Sequence, residues 1–291
     1  MRNYVIATDS DTEIPYTFAD AHQLPVFLMP YTVNGEERLF DLGRNTDFKA
    51  FYQQLRDGAE AVTSTRPPTD IADFFRDIVK DGVDVLYLCF SSALSGHFEL
   101  SQMARDMVLE EYPDVRIEIV DTLRISMGAG QLVMAAQKLK EEGKTLDEVR
   151  SWVLENRNRS HAWFSVDDLN YLKKGGRLSG AAAAIGTILD VKPILRLNAE
   201  GKIVPVDKVK GARKILKFFL AAIQDNVQNP EEQTAYVMHA DSMDAALRMK
   251  EMIEESVPFA GVEIQDIGPV IGCHTGPGVL GVCFMGKEIT N

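Results

Sequence analysis

Short apolar runs alternate with amphipathic stretches through the first half of the chain. Residues 4–8, 85–90 and 117–120 are apolar runs of strand length, and they end in Asp9-Ser10, Ser91-Ser92 and Asp121-Thr122. Between them, residues 48–56, 69–80, 100–111 and 131–142 carry apolar positions at helical spacing. Buried strands separated by helices predict a mostly parallel sheet covered on both faces. The expected class is therefore α/β, with a doubly wound first domain. Residues 27–40 break the pattern, because they alternate around Asn34-Gly35, a type I′ hairpin signal. A helix at 145–158 opens on Thr145 and Glu148, spaced as a capping box.

Beyond that helix the rhythm changes. Strand-like segments are expected at 162–166, 193–197, 203–209, 235–240, 262–267 and 279–285, with a hairpin turn at 198–201. Helices are expected at 212–224 and 243–255. The reading is an α/β domain at 1–158 followed by an α+β domain at 159–291, without internal repeats or low-complexity segments.

The length of 291 residues, 45% of them hydrophobic, suits two domains with sizeable cores. No apolar run approaches the ~20 residues that span a bilayer, and residues 1–8 lack the form of a secretory leader. Cys89, Cys273 and Cys283 are too few and too scattered for a disulfide framework or a paired-cysteine metal site. These features fit a soluble protein of a reducing cytoplasm, with no metal, cofactor or integral membrane segment expected. The net charge of −12 argues against nucleic-acid binding. Within it, residues 173–217 hold eleven basic and three acidic side chains, about +8, which leaves about −20 elsewhere. That segment, with Lys210 and Arg213 in it, reads either as a solvated basic face or as a docking surface for an acidic or phosphate-bearing partner.

Three stretches are candidates for chemistry. The first pairs two turns, Thr63-Ser64-Thr65-Arg66-Pro67-Pro68 and Ser91-Ser92-Ala93-Leu94-Ser95-Gly96, each leading from a strand end into a helix. In open α/β sheets the carboxyl ends of strands form the ligand crevice. Helix N-termini there present N–H groups to an anion, and the Thr63 and Ser95 hydroxyls would add donors. The same residue types also serve as plain helix caps. The second stretch runs from Tyr171 through Lys173-Lys174-Gly175-Gly176-Arg177 to Ser179. Its glycines permit a sharp turn and a close approach, and Ser179 is expected to cap an Ala-rich helix at 180–189. The third is the Gly-Pro-rich run from Ile267 to Gly281, with His274 and Thr275 inside it. Its Gly276-Pro277-Gly278-Val279-Leu280-Gly281 matches GxGxxG only formally, since a strand rather than a helix follows. No GxSxG elbow, phosphate-binding loop or HExxH occurs, and the five histidines have no metal-ligand spacing. A Ser95–His274 dyad, serving an acyl hydrolase or acyltransferase, stays open as the alternative. A transcription-related interaction protein is disfavoured by the acidic charge.

Taken together, Thr8-Asp9-Ser10, Thr63-Ser64, Ser91 to Gly96, Tyr171 to Ser179, Lys192-Pro193-Ile194-Leu195 and Gly272 to Gly281 resemble the DegV family of bacterial fatty-acid-binding proteins. The likeness spans essentially the whole chain. It implies a two-domain α/β fold that buries one long-chain fatty acid, with Thr63 and Ser95 on the carboxylate and Arg177 and His274 at the mouth. Ser64, Ser92, Gly96 and Thr275 would lie beside the ligand. It further implies a non-enzymatic subunit that presents the acid to a separate ATP-dependent fatty acid kinase for phospholipid synthesis. Three positions depart from the family pattern. Arg66 lies in the turn after Ser64, where a Pro and a small residue are usual; His97 replaces a Thr; Lys210 stands where an Arg is expected. An Arg fork and a Lys point charge are not equivalent in docking.

Overall fold

The computed structural model describes residues 3–178 and 191–290. The expected Ser179 cap and the helix at 180–189 lie outside the described residues. The first half runs β1 (Tyr4–Asp9), a 3₁₀ turn (Ser10–Thr12), α1 (Tyr16–Ala21), β2 (Val26–Phe27), β3 (Pro30–Val33) and β4 (Glu36–Leu39). It continues with α2 (Phe48–Arg56), β5 (Ala61–Thr63), α3 (Pro68–Val79), β6 (Asp84–Cys89) and α4 (His97–Glu111). It closes with β7 (Ile117–Asp121), α5 (Met127–Glu141) and α6 (Leu146–Asn156). The second half runs β8 (Ser160–Ser165), α7 (Leu169–Lys174), β9 (Val191–Leu197), β10 (Ile203–Lys210) and α8 (Ala212–Asn226). Then come β11 (Thr234–His239), α9 (Met243–Ser256), β12 (Gly261–Asp266), α10 (Pro269–Thr275) and β13 (Leu280–Met285).

The first sheet is fully parallel, in the order β2-β1-β6-β7. All six residues of β6 are buried, as a strand covered on both faces requires. Val85, Tyr87 and Cys89 pack on Ile71 and Phe75 of α3 and Ala104 and Val108 of α4. Ile6, Leu86 and Leu88 pack on Val133 of α5 and Val149 of α6. The doubly wound arrangement thus follows from a central run, 85–90, that is apolar at every position. The capping box forms at Thr145 and Glu148. Asn34 and Gly35 both take positive φ, 49° and 83°, as a type I′ turn demands.

The hairpin β3–β4 acquires β5 as a third strand and forms a small antiparallel sheet of its own, in the order β4-β3-β5. This corrects the expectation that both hydroxyl-bearing turns lie on one edge of one sheet. Thr63 closes β5 in the small sheet, whereas Ser95 follows β6 in the parallel sheet, so the two turns do not share a sheet edge. A three-residue strand has too little pattern to be read locally; its partner decides it.

The second half forms a six-stranded mixed sheet, β10-β9-β8-β13-β11-β12. One face packs through Ile194, Val237, Val282 and Phe284 on Phe219 and Ile223 of α8 and Met249 and Ile253 of α9. The other face, carrying Ala162, Leu195, Leu197, Tyr236, Met238 and Cys283, joins the same buried cluster as α3 and the parallel sheet. The two halves therefore meet across this face. Polar ties hold the join. Tyr52 donates to the Ile267 carbonyl at 2.7 Å, and Ser91 donates to the Gly201 carbonyl at 3.0 Å. Fully buried Arg124 donates to the Arg157 and Asn198 carbonyls.

Inside the Gly-Pro-rich run the structure holds a helix, α10, which the sequence pattern did not announce. Pro269 occupies its first turn, and Gly276, at φ 70°, ends it. Proline at the start and glycine past the end are the positions where each is favourable. Composition alone conceals that placement.

Candidate functional site

A cavity of about 480 Å³ lies where the halves meet, within the range of small-molecule sites. Phe90, Leu94 and Ile125 wall it from the first half, and Ala162, Phe164, Leu197, Met238 and Cys283 from the six-stranded sheet. Its polar lining includes Asp11, Thr63, Ser64, Thr65, Ser95, Ser126, Arg177, His274 and Thr275.

Several of these groups are linked. Thr63 Oγ1 and His274 Nε2 are hydrogen-bonded at 2.8 Å. Arg177 Nε donates to the Leu94 carbonyl at 2.9 Å, beside Ser95, and Nη1 donates to the Gly175 carbonyl. Ser95 Oγ accepts from His97 N–H at 3.3 Å in the turn that leads into α4. His274 sits on α10, directly over the turn that ends α7. A Cβ at Gly175 would stand 2.2 Å from His274 Nδ1, and one at Gly276 would stand 2.5 Å from the Tyr171 ring. The two glycine-bearing motifs are thus halves of one packed unit, and their glycines are the room each makes for the other.

Burial and the neighbouring Arg177 guanidinium push His274 down to about 4. At neutral pH it is an uncharged imidazole. Its Nδ1 is buried without a hydrogen-bond partner among the described residues. Burial likewise lowers Arg177, while Asp11 opposes that shift. The arrangement offers hydroxyls, a neutral imidazole and a guanidinium at an apolar chamber, which suits an anionic group on an apolar body. In this geometry His274 Nε2 engages Thr63 rather than Ser95, and among the described residues no carboxylate bonds Nδ1, unlike the arrangement of a Ser–His–carboxylate triad.

Ser64 and Thr275 line the cavity, and Thr275 also donates to the Ile271 carbonyl at 3.1 Å. Ser92 and Gly96 are not among the lining residues. Ser92 donates to Asp121 at 2.5 Å, and Gly96 is the N-cap of α4. Lys210 and Arg213 are exposed at the junction of β10, an edge strand, and α8. Arg66, just before α3, pairs at 2.6 Å with Asp70 in the first turn of that helix. His97 is buried, hydrogen-bonds Tyr87 at 2.8 Å and stacks on Phe90 and Phe27. It backs the cavity wall and does not enter the cavity. Asp9, Cys89 and His97 bring ligand-type atoms within 4.8 Å of one another. The Asp9 oxygens already accept from Asp11 and Phe90 N–H, and His97 Nε2 meets Tyr87. Asp11 and Ser126 were not anticipated from the sequence. The acidic Asp9-Ser10-Asp11 run after β1 is the signal that points to Asp11.

A family model described as "Uncharacterised protein, DegV family" matches residues 3–287. The chain belongs to the DegV family. A DegV domain-containing protein of Clostridium perfringens is 40% identical over 286 residues, covering 98% of each chain. Another, of Streptococcus pyogenes, is 32% identical and covers 98% of this chain and 99% of its own. Among solved structures, a fatty-acid-binding DegV family protein of Thermus thermophilus superposes with a TM-score of 0.87 at 29% identity, covering 99% and 100% of the two chains. DegV of Bacillus subtilis, described as a fatty acid binding protein, superposes with a TM-score of 0.83 at 28% identity and the same coverage. The parallel sheet and the mixed sheet match those of the DegV fold. Among the described residues no helix is long and apolar enough to cross a membrane.

Proposed function

We propose that this DegV protein binds one long-chain fatty acid in the chamber, with the carboxylate at Thr63 and Ser95 and the acyl chain along the six-stranded sheet. The supporting observation is the join of the Thr63–His274–Arg177 group to an apolar cavity closed by two sheets. The fatty acids named for its structural relatives support the same ligand class. Burying a hexadecanoyl chain at ~0.8 kcal/mol per CH₂ gives about 11 kcal/mol before association costs. A hydrogen bond to a carboxylate contributes only ~1.5–3 kcal/mol. The chain therefore holds the ligand, and the head group orients it.

In this reading the protein is a carrier of two domains, 1–158 and 159–291. Arg177 and His274 would support phosphorylation of the carboxylate by a separate cytoplasmic fatty acid kinase that feeds phospholipid synthesis. The exposed basic side chains Lys210 and Arg213 would dock that kinase. Organic extraction of the purified protein followed by mass spectrometry tests the ligand. Hexadecanoic to octadecanoic acid is the expected find. A protein that carries no fatty acid and takes up none when it is added sinks the reading.

A further inference from the structure

Three carboxyl groups, Asp9, Asp11 and Glu13, are buried beside the chamber within five residues of one another. They are not equivalent. Asp9 accepts from Asp11 N–H at 3.0 Å and from Phe90 N–H at 3.1 Å. Glu13 accepts from the Ser126 hydroxyl and from Gly268 N–H. Such donors favour the ionised form and partly offset the burial that raises Asp9 to about 7 and Glu13 to about 8. Asp11 has no comparable support. It lines the chamber at 4% exposure, and its Oδ1 is buried with no hydrogen-bond partner among the described residues. A buried polar atom in that condition calls for an explanation, and a ligand atom is one.

The charges around Asp11 are one-sided. Asp9 ends β1, and Glu13 follows the 3₁₀ turn. Arg177 faces it from the turn after α7. Cys273 and His274 come from α10, the first a thiol pushed up to about 12 and the second a neutral imidazole. Ser126 at the start of α5 contributes only a hydroxyl. Arg177 is the sole cation in this set. A ligand carboxylate would add a further anion beside one guanidinium, out of water, which is unfavourable unless a proton is retained. Burial first, then Asp9 and Glu13, hold Asp11 well above the usual carboxylate range.

We propose that Asp11 completes the head-group site: it keeps its proton and donates a hydrogen bond to the carboxylate of the bound acid, so that two carboxyl groups share one proton beside Arg177. This rests on the fatty-acid reading above. It makes lipid binding proton-linked. Affinity is full while Asp11 is protonated and falls as pH rises through its elevated pKa, by up to about tenfold per pH unit for one proton.

The test uses the full chain, stripped of lipid, with hexadecanoic acid labelled with ¹³C at the carboxyl. Infrared difference spectra on binding should show the carbonyl band of a protonated side-chain acid, shifted in D₂O and distinct from the labelled ligand band. Asp11→Asn keeps a donor but cannot titrate. It should lack the band, bind within about threefold of wild type at neutral pH, and hold that affinity on the alkaline side where wild type weakens. Asp11→Ala should lose about tenfold to a hundredfold. Lipid uptake without the band in wild type, or with coincident pH profiles for wild type and Asp11→Asn, overturns the role of Asp11 and leaves the carrier reading standing. Failure of wild type to take up the acid at all overturns both.

Discussion

Thr63 and His274 are hydrogen-bonded at 2.8 Å across 211 positions of chain. The contact ties a strand end of the first half to a helix of the second, at the cavity wall. Thr63→Val preserves the shape and removes the hydroxyl. It should weaken hexadecanoate binding by about tenfold to a hundredfold without abolishing it, because the acyl chain supplies most of the free energy. Ser95→Ala should fall in the same range. Equilibrium binding of a fluorescent or radiolabelled fatty acid measures both; complete loss of binding in either would mean that the chain term is overestimated.

Arg177 and His274 should behave differently. If they stabilise charge that develops during phosphorylation, their effect is larger in the transition state than in the bound ground state. Arg177→Ala and His274→Ala should then retain lipid but lose acyl-phosphate formation when a fatty acid kinase and ATP are supplied. Turnover per bound lipid is the decisive quantity, and normal turnover in His274→Ala would refute the assignment.

Gly175 offers a test of the packed motif pair. Its φ of −73° is acceptable for alanine, so backbone strain plays no part. The added methyl would stand 2.2 Å from His274 Nδ1 and displace the ring. Gly175→Ala should cost about 1–3 kcal/mol of stability through overpacking and move the His274 titration up from about 4 as the ring loses its burial. Gly276→Ala should be worse, because φ 70° is added to the clash with Tyr171. Denaturant melts and NMR titration of the imidazole check both.

His97 predicts a pH effect of definite sign. Burial lowers it from 6.5 to about 4. The folded state therefore binds fewer protons than the unfolded chain between these values, and stability is lost as pH falls through that window. Full loss amounts to about 3 kcal/mol, at 1.36 kcal/mol per unit. His97→Thr should be less stable at neutral pH, because Tyr87 loses its partner, yet its stability should decline less steeply on acidification. Parallel declines in the two proteins would show that His97 is not the group responsible.

The basic surface is a prediction about rates. Lys210→Glu combined with Arg213→Glu should slow association with an acidic kinase surface and flatten its salt dependence, while lipid occupancy stays unchanged. Surface plasmon resonance across a salt series measures this. Identical association kinetics before and after reversal would reduce the patch to a solvated edge, where lysines also guard β10 against strand pairing.

Much of the fold was legible along the chain, because its signals are local. The runs at Val85, Tyr87 and Cys89 are apolar at every position since both faces of the parallel sheet are covered. Asn34-Gly35 set the hairpin through its own backbone preference, and Thr145 with Glu148 set a helix start. Thr63, Ser95 and His274 could be singled out by type and context and Arg177 by the DegV resemblance, and all four line one cavity.

Their partnerships could not be read, because spatial neighbours leave no periodic trace in sequence. That Thr63 bonds His274 rather than leaving it to Ser95, and that Thr63 belongs to a different sheet from Ser95, follow from where β5 docks. The glycines at 175 and 276 have their meaning only in the opposing ring. Asp11 stood in plain view as one acid among three. An oxygen without a hydrogen-bond partner among the described residues and a facing guanidinium set it apart, and those are properties of the assembled interior, where water no longer screens the difference.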